Sequence, residues 1–184
     1  CVGDHCVDRC GGGLMASAAI LGGGPSLPAD LAKLPRDCVL ISVNDHALLF
    51  CKPDYLVHMD NNFDAAPALK AALDVFDGTV VSPFENSGVA LPKGEFWDGG
   101  FSSTLATWFA LWKGFDPVIL CGMDLYQGVE KYCHPREGFY HPVFDYPVEN
   151  HLRAWRLAFN YCPNPERIRA MSGPLVDVFG SFGG

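Results

Sequence analysis

Apolar residues fall in short, unbroken runs separated by polar punctuation. Residues 18–22, Cys38-Val39-Leu40-Ile41-Ser42-Val43, Tyr55-Leu56-Val57-His58-Met59, Thr79 to Ser82 and Pro117-Val118-Ile119-Leu120-Cys121 each have the length and character of a buried strand. Between them the spacing turns helical. Short helices are expected at Ala29–Leu34 and His46–Cys51, and a longer one at Ala65–Phe76. The clearest helix is Ser103–Lys113, where Leu105, Trp108, Phe109 and Trp112 repeat at i, i+3, i+4 and i+7. Ser102 or Ser103 is placed to cap its start, and Gly114 to end it. Val148–Tyr161 is the last helix, with Leu152, Trp155 and Phe159 facing inward. Ile168–Met171 and Leu175–Phe179 read as short edge strands. Residues 83–100 form an irregular connection, and residues 125–147, rich in Tyr, His and Pro, a loop or lid.

Strands alternating with helices predict an α/β fold, a single Rossmann-like domain with a mostly parallel sheet flanked by helices. In such a sheet ligands bind beyond the carboxyl ends of the strands. Polar residues gather there: Gly22–Ser26, Asn44 with Asp45, Asp60 with Asn61, and Asp124 each end a predicted strand. The first of these, Gly22-Gly23-Gly24-Pro25-Ser26-Leu27, leads into a helix, and free amides at such a turn attract phosphate. Pro25 has no amide, so Gly23, Gly24 and Ser26 are the candidate donors. The alternative is an ordinary tight turn. Neither a Walker pattern nor a full GxGxxG is present.

At 184 residues and 49% hydrophobic, the chain is long and apolar enough for one well-filled core. Its net charge of −8 and lack of basic runs argue against a sequence-independent nucleic-acid surface. No apolar run is long enough to span a membrane, no signal-peptide layout is seen, and the expected compartment is the cytoplasm. Of the eight cysteines, Cys38, Cys51 and Cys121 lie in or beside apolar runs and read as buried hydrophobes. Cys1, Cys6 and Cys10 match no common metal spacing. Residues 1–14 are expected to be a non-native or poorly ordered leader, with Met15 standing before the first strand.

Asp45, Asp60 and Asp124 are positioned to share a Mg²⁺ carried by a nucleotide phosphate, with Asp60 and Asp124 the stronger pair. Capping of a following turn explains each of them equally simply. Asn44 directly follows a buried strand, where an Asx turn is the simple reading, and Ser102 and Ser103 read as phosphate donors or helix caps. After Asp124 come Lys131, Tyr132, His134, Arg136, Tyr140 and His141. Histidine titrates near neutrality and suits the base that activates an acceptor, so His134, His141 and Asp124 are the catalytic candidates. His46 and His58 read as structural. No Gly-x-Ser-x-Gly elbow is present.

The order of these motifs resembles the MptE-like family of 6-hydroxymethyl-7,8-dihydropterin pyrophosphokinases and motility-associated glycosyltransferase relatives. The matching stretches are Gly22–Leu27, Ser42-Val43-Asn44-Asp45, Lys52-Pro53-Asp54-Tyr55 leading to Asp60, Ser102-Ser103-Thr104, and Gly122-Met123-Asp124-Leu125. The series is also similar to that of bacterial CMP-sialic-acid sialyltransferases, with Asp124 and Tyr126 matching a Gly-x-Asp-x-Tyr motif and Tyr161-Cys162-Pro163-Asn164 a late Cys-Pro-Asn. Their Ser-Gly pair is Ser102-Ser103 here, and their histidine base has its nearest counterpart in His141. The resemblance implies a nucleotide-dependent transferase with Mg²⁺-assisted pyrophosphoryl transfer as the leading reading. Tyr126 and Asn44 would touch the nucleotide, which is ATP or a CMP-sugar. The alternatives are glycosyl transfer from a CMP-sugar and a non-catalytic nucleotide-binding domain. The expected partners are a small-molecule nucleotide and an acceptor, with no nucleic acid and no membrane span, and homo-oligomerisation is left open.

Overall fold

The computed structural model describes residues 16–64, 66–84, 87–91, 101–135, 142–160, 162 and 164–183. Strands β1 (Ala18–Leu21), β2 (Val39–Val43), β3 (Tyr55–Val57), β4 (Thr79–Val81), β5 (Val118–Cys121) and β6 (Ile168–Ala170) form one sheet. Its order is β4-β3-β2-β1-β5-β6, and every pairing is parallel. The expected α/β architecture is therefore present, as a six-stranded all-parallel sheet. The chain builds outward from β1 to β4, then crosses to the other side of β1 for β5. That reversal opens a crevice beyond the carboxyl ends of β1 and β5, where ligands of such sheets sit.

Each face of the sheet is covered. Alternate residues of β1 point to opposite sides, so Ala18 and Ile20 join one core and Ala19 and Leu21 the other. The larger core lies under helices α3 (Ser102–Trp112), α4 (Val148–Phe159) and α5 (Val176–Phe179), with Leu105, Phe109, Trp155 and Phe159 packed on the strands. The rings of Trp155 and Phe159 stack at 5.6 Å, and Phe179 meets both edge-on. The smaller core lies under α1 (Leu27–Leu31) and a 3₁₀ turn at His46–Leu49. Helix α2 (Pro67–Val75) is peripheral and buries only Leu69. No helix among the described residues is long and apolar enough to cross a membrane.

Two local expectations need correction. Leu175–Phe179 is not an edge strand: residues Val176–Phe179 are a helical turn laid on β6. Gly173, at φ +75°, and Pro174 break the chain after β6, and an apolar run this short does not reveal its period. Ser102 and Ser103 do not cap α3. The cap position is Phe101, and Ser102 is the first helical residue, with its Oγ accepting the Met59 amide at 3.1 Å. Gly114 does end the helix, at φ +83°, with its amide on the Leu111 carbonyl. The leader and its cysteines lie outside the described residues.

Buried histidine makes stability depend on pH. His58 is 0% exposed, and burial lowers its pKa against the opposing pull of the Asp60 carbonyl and carboxylate. His151, in α4, is lowered for the same reason, opposed by the Val143 backbone. Both groups bind protons more readily in the unfolded chain, so stability falls as pH drops from about 6.5 towards their folded values. Below those values the loss is constant. Urea unfolding between pH 7.5 and 5.5 should show His58→Gln losing less stability than the parent; parallel curves would refute the assignment.

Candidate functional site

The glycine turn after β1 and the loop after β5 meet at the crevice and are bonded to each other. The Gly24 amide donates to the Gly122 carbonyl at 2.8 Å. The Ser26 amide and hydroxyl both donate to Asp124 Oδ2, at 3.0 and 2.8 Å. Beneath them Asp30, 1% exposed, accepts the Gly122 amide at 3.0 Å, the Ser172 hydroxyl at 2.7 Å and the Ser26 hydroxyl at 3.2 Å. The glycines are small because the two loops touch. A Cβ on Gly22 would stand 2.5 Å from the Gly122 carbonyl oxygen, and one on Gly23 2.7 Å from the His46 ring.

These bonds revise the expected phosphate cradle. The amides of Gly24 and Ser26 are spent inside the protein, so neither is a free anion donor. The Gly23 amide has no partner among the described residues, while its carbonyl accepts the Cys133 amide at 2.8 Å. One Asp124 carboxylate oxygen ties the glycine turn to the β5 loop. Asp60 is exposed at the end of β3. Among the described residues no three His, Cys, Asp or Glu side chains gather as a metal site.

Asn44 stands at the same carboxyl edge. It follows β2 with φ +53°, a left-handed conformation uncommon outside glycine, and its amide bonds the Val57 carbonyl. Its side-chain Oδ1 is buried without a hydrogen-bond partner. An orphaned acceptor of this kind costs about 1–3 kcal/mol and calls for a donor from outside the chain. Leu125 and Tyr126, after β5, are also left-handed, at φ +51° and +59°. Strained backbone concentrated at the carboxyl edge is the pattern of a ligand site.

The segment after β5 is an aromatic fold-back. Tyr126 packs with Phe144 at 4.9 Å, His151 at 5.6 Å and Tyr132 at 6.0 Å. Lys131 donates to the carbonyls of Tyr126 and Gly128, at 2.8 and 3.0 Å. Tyr132 stacks on His46 at 4.9 Å, and His46 Nδ1 lies 2.9 Å from His134 Nε2. His134 is thus beside the glycine turn, whereas His141, with Arg136 and Tyr140, lies outside the described residues. Ser102 and Ser103 stand at the start of α3, half-buried near the end of β3.

Asp30 and His151 drew no reading from the sequence, and His46 was read as structural. His151 is 3% exposed between Phe101, Tyr126 and Tyr146, with Nε2 unpartnered. Burial pushes the Cys162 thiol up to about 11 and the Cys121 thiol further, away from the reactive thiolate.

No protein-family model matches the sequence, and no curated protein does. The MptE-like assignment therefore has no independent support. Among solved structures, the chain is similar to the sialyltransferase CstII from Campylobacter jejuni, determined in complex with a substrate analogue, cytidine-5'-monophosphate (CMP). The TM-score is 0.59 at 14% identity, with 92% of this chain and 86% of CstII covered. The fold is sialyltransferase-like. At this identity the likeness concerns architecture, and the chemistry must come from the residues themselves.

Proposed function

We propose that this sialyltransferase-like domain transfers a glycosyl group from a nucleotide sugar, with CMP as the leaving group. The observation that carries this reading is Asn44: a buried, unpartnered acceptor oxygen on strained backbone at the carboxyl edge. A ribose hydroxyl or a base amino group supplies the donor it lacks. Ser102 and Ser103, at the first turn of α3, face the same edge with hydroxyls and amides for phosphate oxygens. In the reaction an acceptor hydroxyl oxygen bonds to the sugar's anomeric carbon as the bond to the phosphate oxygen breaks. CMP leaves with that electron pair, and a base takes the hydroxyl proton. The base belongs to the segment after β5, with His141 or His134 in that role.

Pyrophosphoryl transfer is less well supported. It needs metal on the donor phosphates, and Asp124 is bonded to Ser26 while Asp60 stands exposed beyond the end of β3. CMP-sugar chemistry asks for no such pair.

The test uses Asn44→Gly, which keeps the left-handed backbone and removes only the side chain. CMP should raise the melting temperature of the parent protein by mass action. The variant should bind CMP about tenfold more weakly, the loss of about 1.4 kcal/mol expected for one buried hydrogen bond, with little change in ligand-free stability. Release of CMP from a CMP-sugar in the presence of acceptor glycans completes the assay. CMP binding that ignores this substitution, or no response to CMP at all, would remove the reading.

A further inference from the structure

We propose that His151 lines a sugar subsite: its Nε2 accepts a hydrogen bond from a hydroxyl of the sugar that the nucleotide carries. The inference rests on the nucleotide-sugar reading above and adds to it where the transferred sugar lies.

Among the described residues, two buried side-chain acceptors have no hydrogen-bond partner, Asn44 Oδ1 and His151 Nε2. The first carries the nucleotide reading, and the second has no part in it yet. His151 lies in the first turn of α4, on the inward face it shares with Trp155, Ala158 and Phe159, and is 3% exposed. An apolar residue would fill that position without burying an unpaired nitrogen, so packing alone does not account for a histidine there.

The ring is fixed in one sense. It is hydrogen-bonded to the Val143 backbone, and because Nε2 is unpartnered the bonded atom is Nδ1. A neutral imidazole that donates from Nδ1 keeps a lone pair on Nε2. Burial lowers the pKa of His151, so the ring is in this neutral form at pH 7 and above. Such a nitrogen needs a hydrogen from its partner. Ionised phosphate and carboxylate oxygens have none to give, which leaves a hydroxyl or an amino group.

The surroundings select a sugar hydroxyl. Three aromatic rings stand around His151: Tyr126 at 5.6 Å, Tyr146 at 6.1 Å and Phe101 at 6.3 Å. Tyr126 follows β5 at the crevice, and Phe101 directly precedes Ser102 and Ser103, the residues given above to phosphate oxygens. A sugar joined to that phosphate comes to rest between the start of α3 and the β5 loop, while the nucleoside is engaged at Asn44 beyond β2. Aromatic walls with one convergent polar atom suit the largely carbon faces of a sugar ring. Tyr146, 51% exposed, is the outermost of the three rings and the one that turns aside to admit the hydroxyl. His151 is thus a binding residue, and the reacting hydroxyl of the acceptor goes to the base elsewhere.

The experiment compares CMP with CMP-sialic acid on the full chain at pH 7.5, by calorimetric titration and by ¹⁵N NMR of the His151 ring. The parent should bind CMP-sialic acid more tightly than CMP, and the His151 Nε2 resonance should move with CMP-sialic acid only. His151→Phe keeps an aromatic ring and removes the acceptor. It should bind CMP-sialic acid about tenfold more weakly, the effect of one net hydrogen bond, with its CMP affinity unchanged. His151→Gln, whose side-chain oxygen reaches the Nε2 position, should recover most of the loss. Equal losses for both ligands, or a resonance that moves as far with CMP, would give His151 to the nucleotide or to the fold and overturn the proposal. Bound CMP-sialic acid with an unmoved resonance would leave the nitrogen to a buried water and overturn it too, with the nucleotide reading intact. A parent that binds neither ligand would remove that reading and the subsite together.

Discussion

Alanine in place of Asp30 is expected to destabilise the protein by about 4 kcal/mol. This carboxylate, in α1, receives the Gly122 amide and the Ser172 hydroxyl, with the Ser26 hydroxyl shared between it and Asp124. Removing it strands buried donors, each costing about 1–3 kcal/mol, and opens a void beneath the glycine turn. For a chain of this size the melting temperature should fall by roughly 12 °C. Asparagine should recover part of the loss, because its carbonyl still accepts while its amino group adds donors without partners. A fall of only about 2 °C for Asp30→Ala would mean that water replaces the carboxylate and that the two loops do not depend on it.

Gly24→Ala is expected to cost about 3 kcal/mol, through collision rather than lost bonding. Its Cβ would meet Asp124 Oδ2 and lie 2.7 Å from the Gly122 carbonyl oxygen. The first neighbour is held by Ser26 and the second is backbone, so neither yields easily. Were the turn a phosphate cradle, this substitution would chiefly weaken ligand binding. Here it should lower the unfolding temperature without ligand and leave the CMP affinity of the surviving folded fraction near that of the parent. Unchanged stability with lost CMP binding would restore the cradle.

The sheet was legible because β1, β2 and β5 are covered on both faces and read as unbroken apolar runs. Helix α3 was legible because Leu105 and Phe109 repeat at helical spacing and Gly114 stops it. The gathering of polar residues at the carboxyl edge, Asn44 among them, was legible from strand ends alone. What stayed hidden was which polar groups spend their bonding capacity inside the protein. The pairing of Ser26 with Asp124 joins residues 98 positions apart, and that of Asp30 with Ser172 joins residues 142 apart. No local pattern marks such pairs, and Asp30 drew no reading from the sequence. The contact of His46 with His134, 88 positions later, is hidden for the same reason.

Strand β1 lies between β2 and β5, with Ala18 paired to Val39 on one side and to Val118 on the other. The second partner emerges from the ribosome about a hundred residues after β1, roughly 5–20 s later at ordinary synthesis rates. During that interval β1 to β4 can assemble, but the inner edge of β1 stays open, an apolar strand with unpaired backbone that invites foreign strands. The open edge closes only once β5 has been made. The yield of native chain should therefore depend on how quickly residues 83–121 are translated, and slow codons there should favour aggregation of a protein that, once complete, has this edge sealed at its centre.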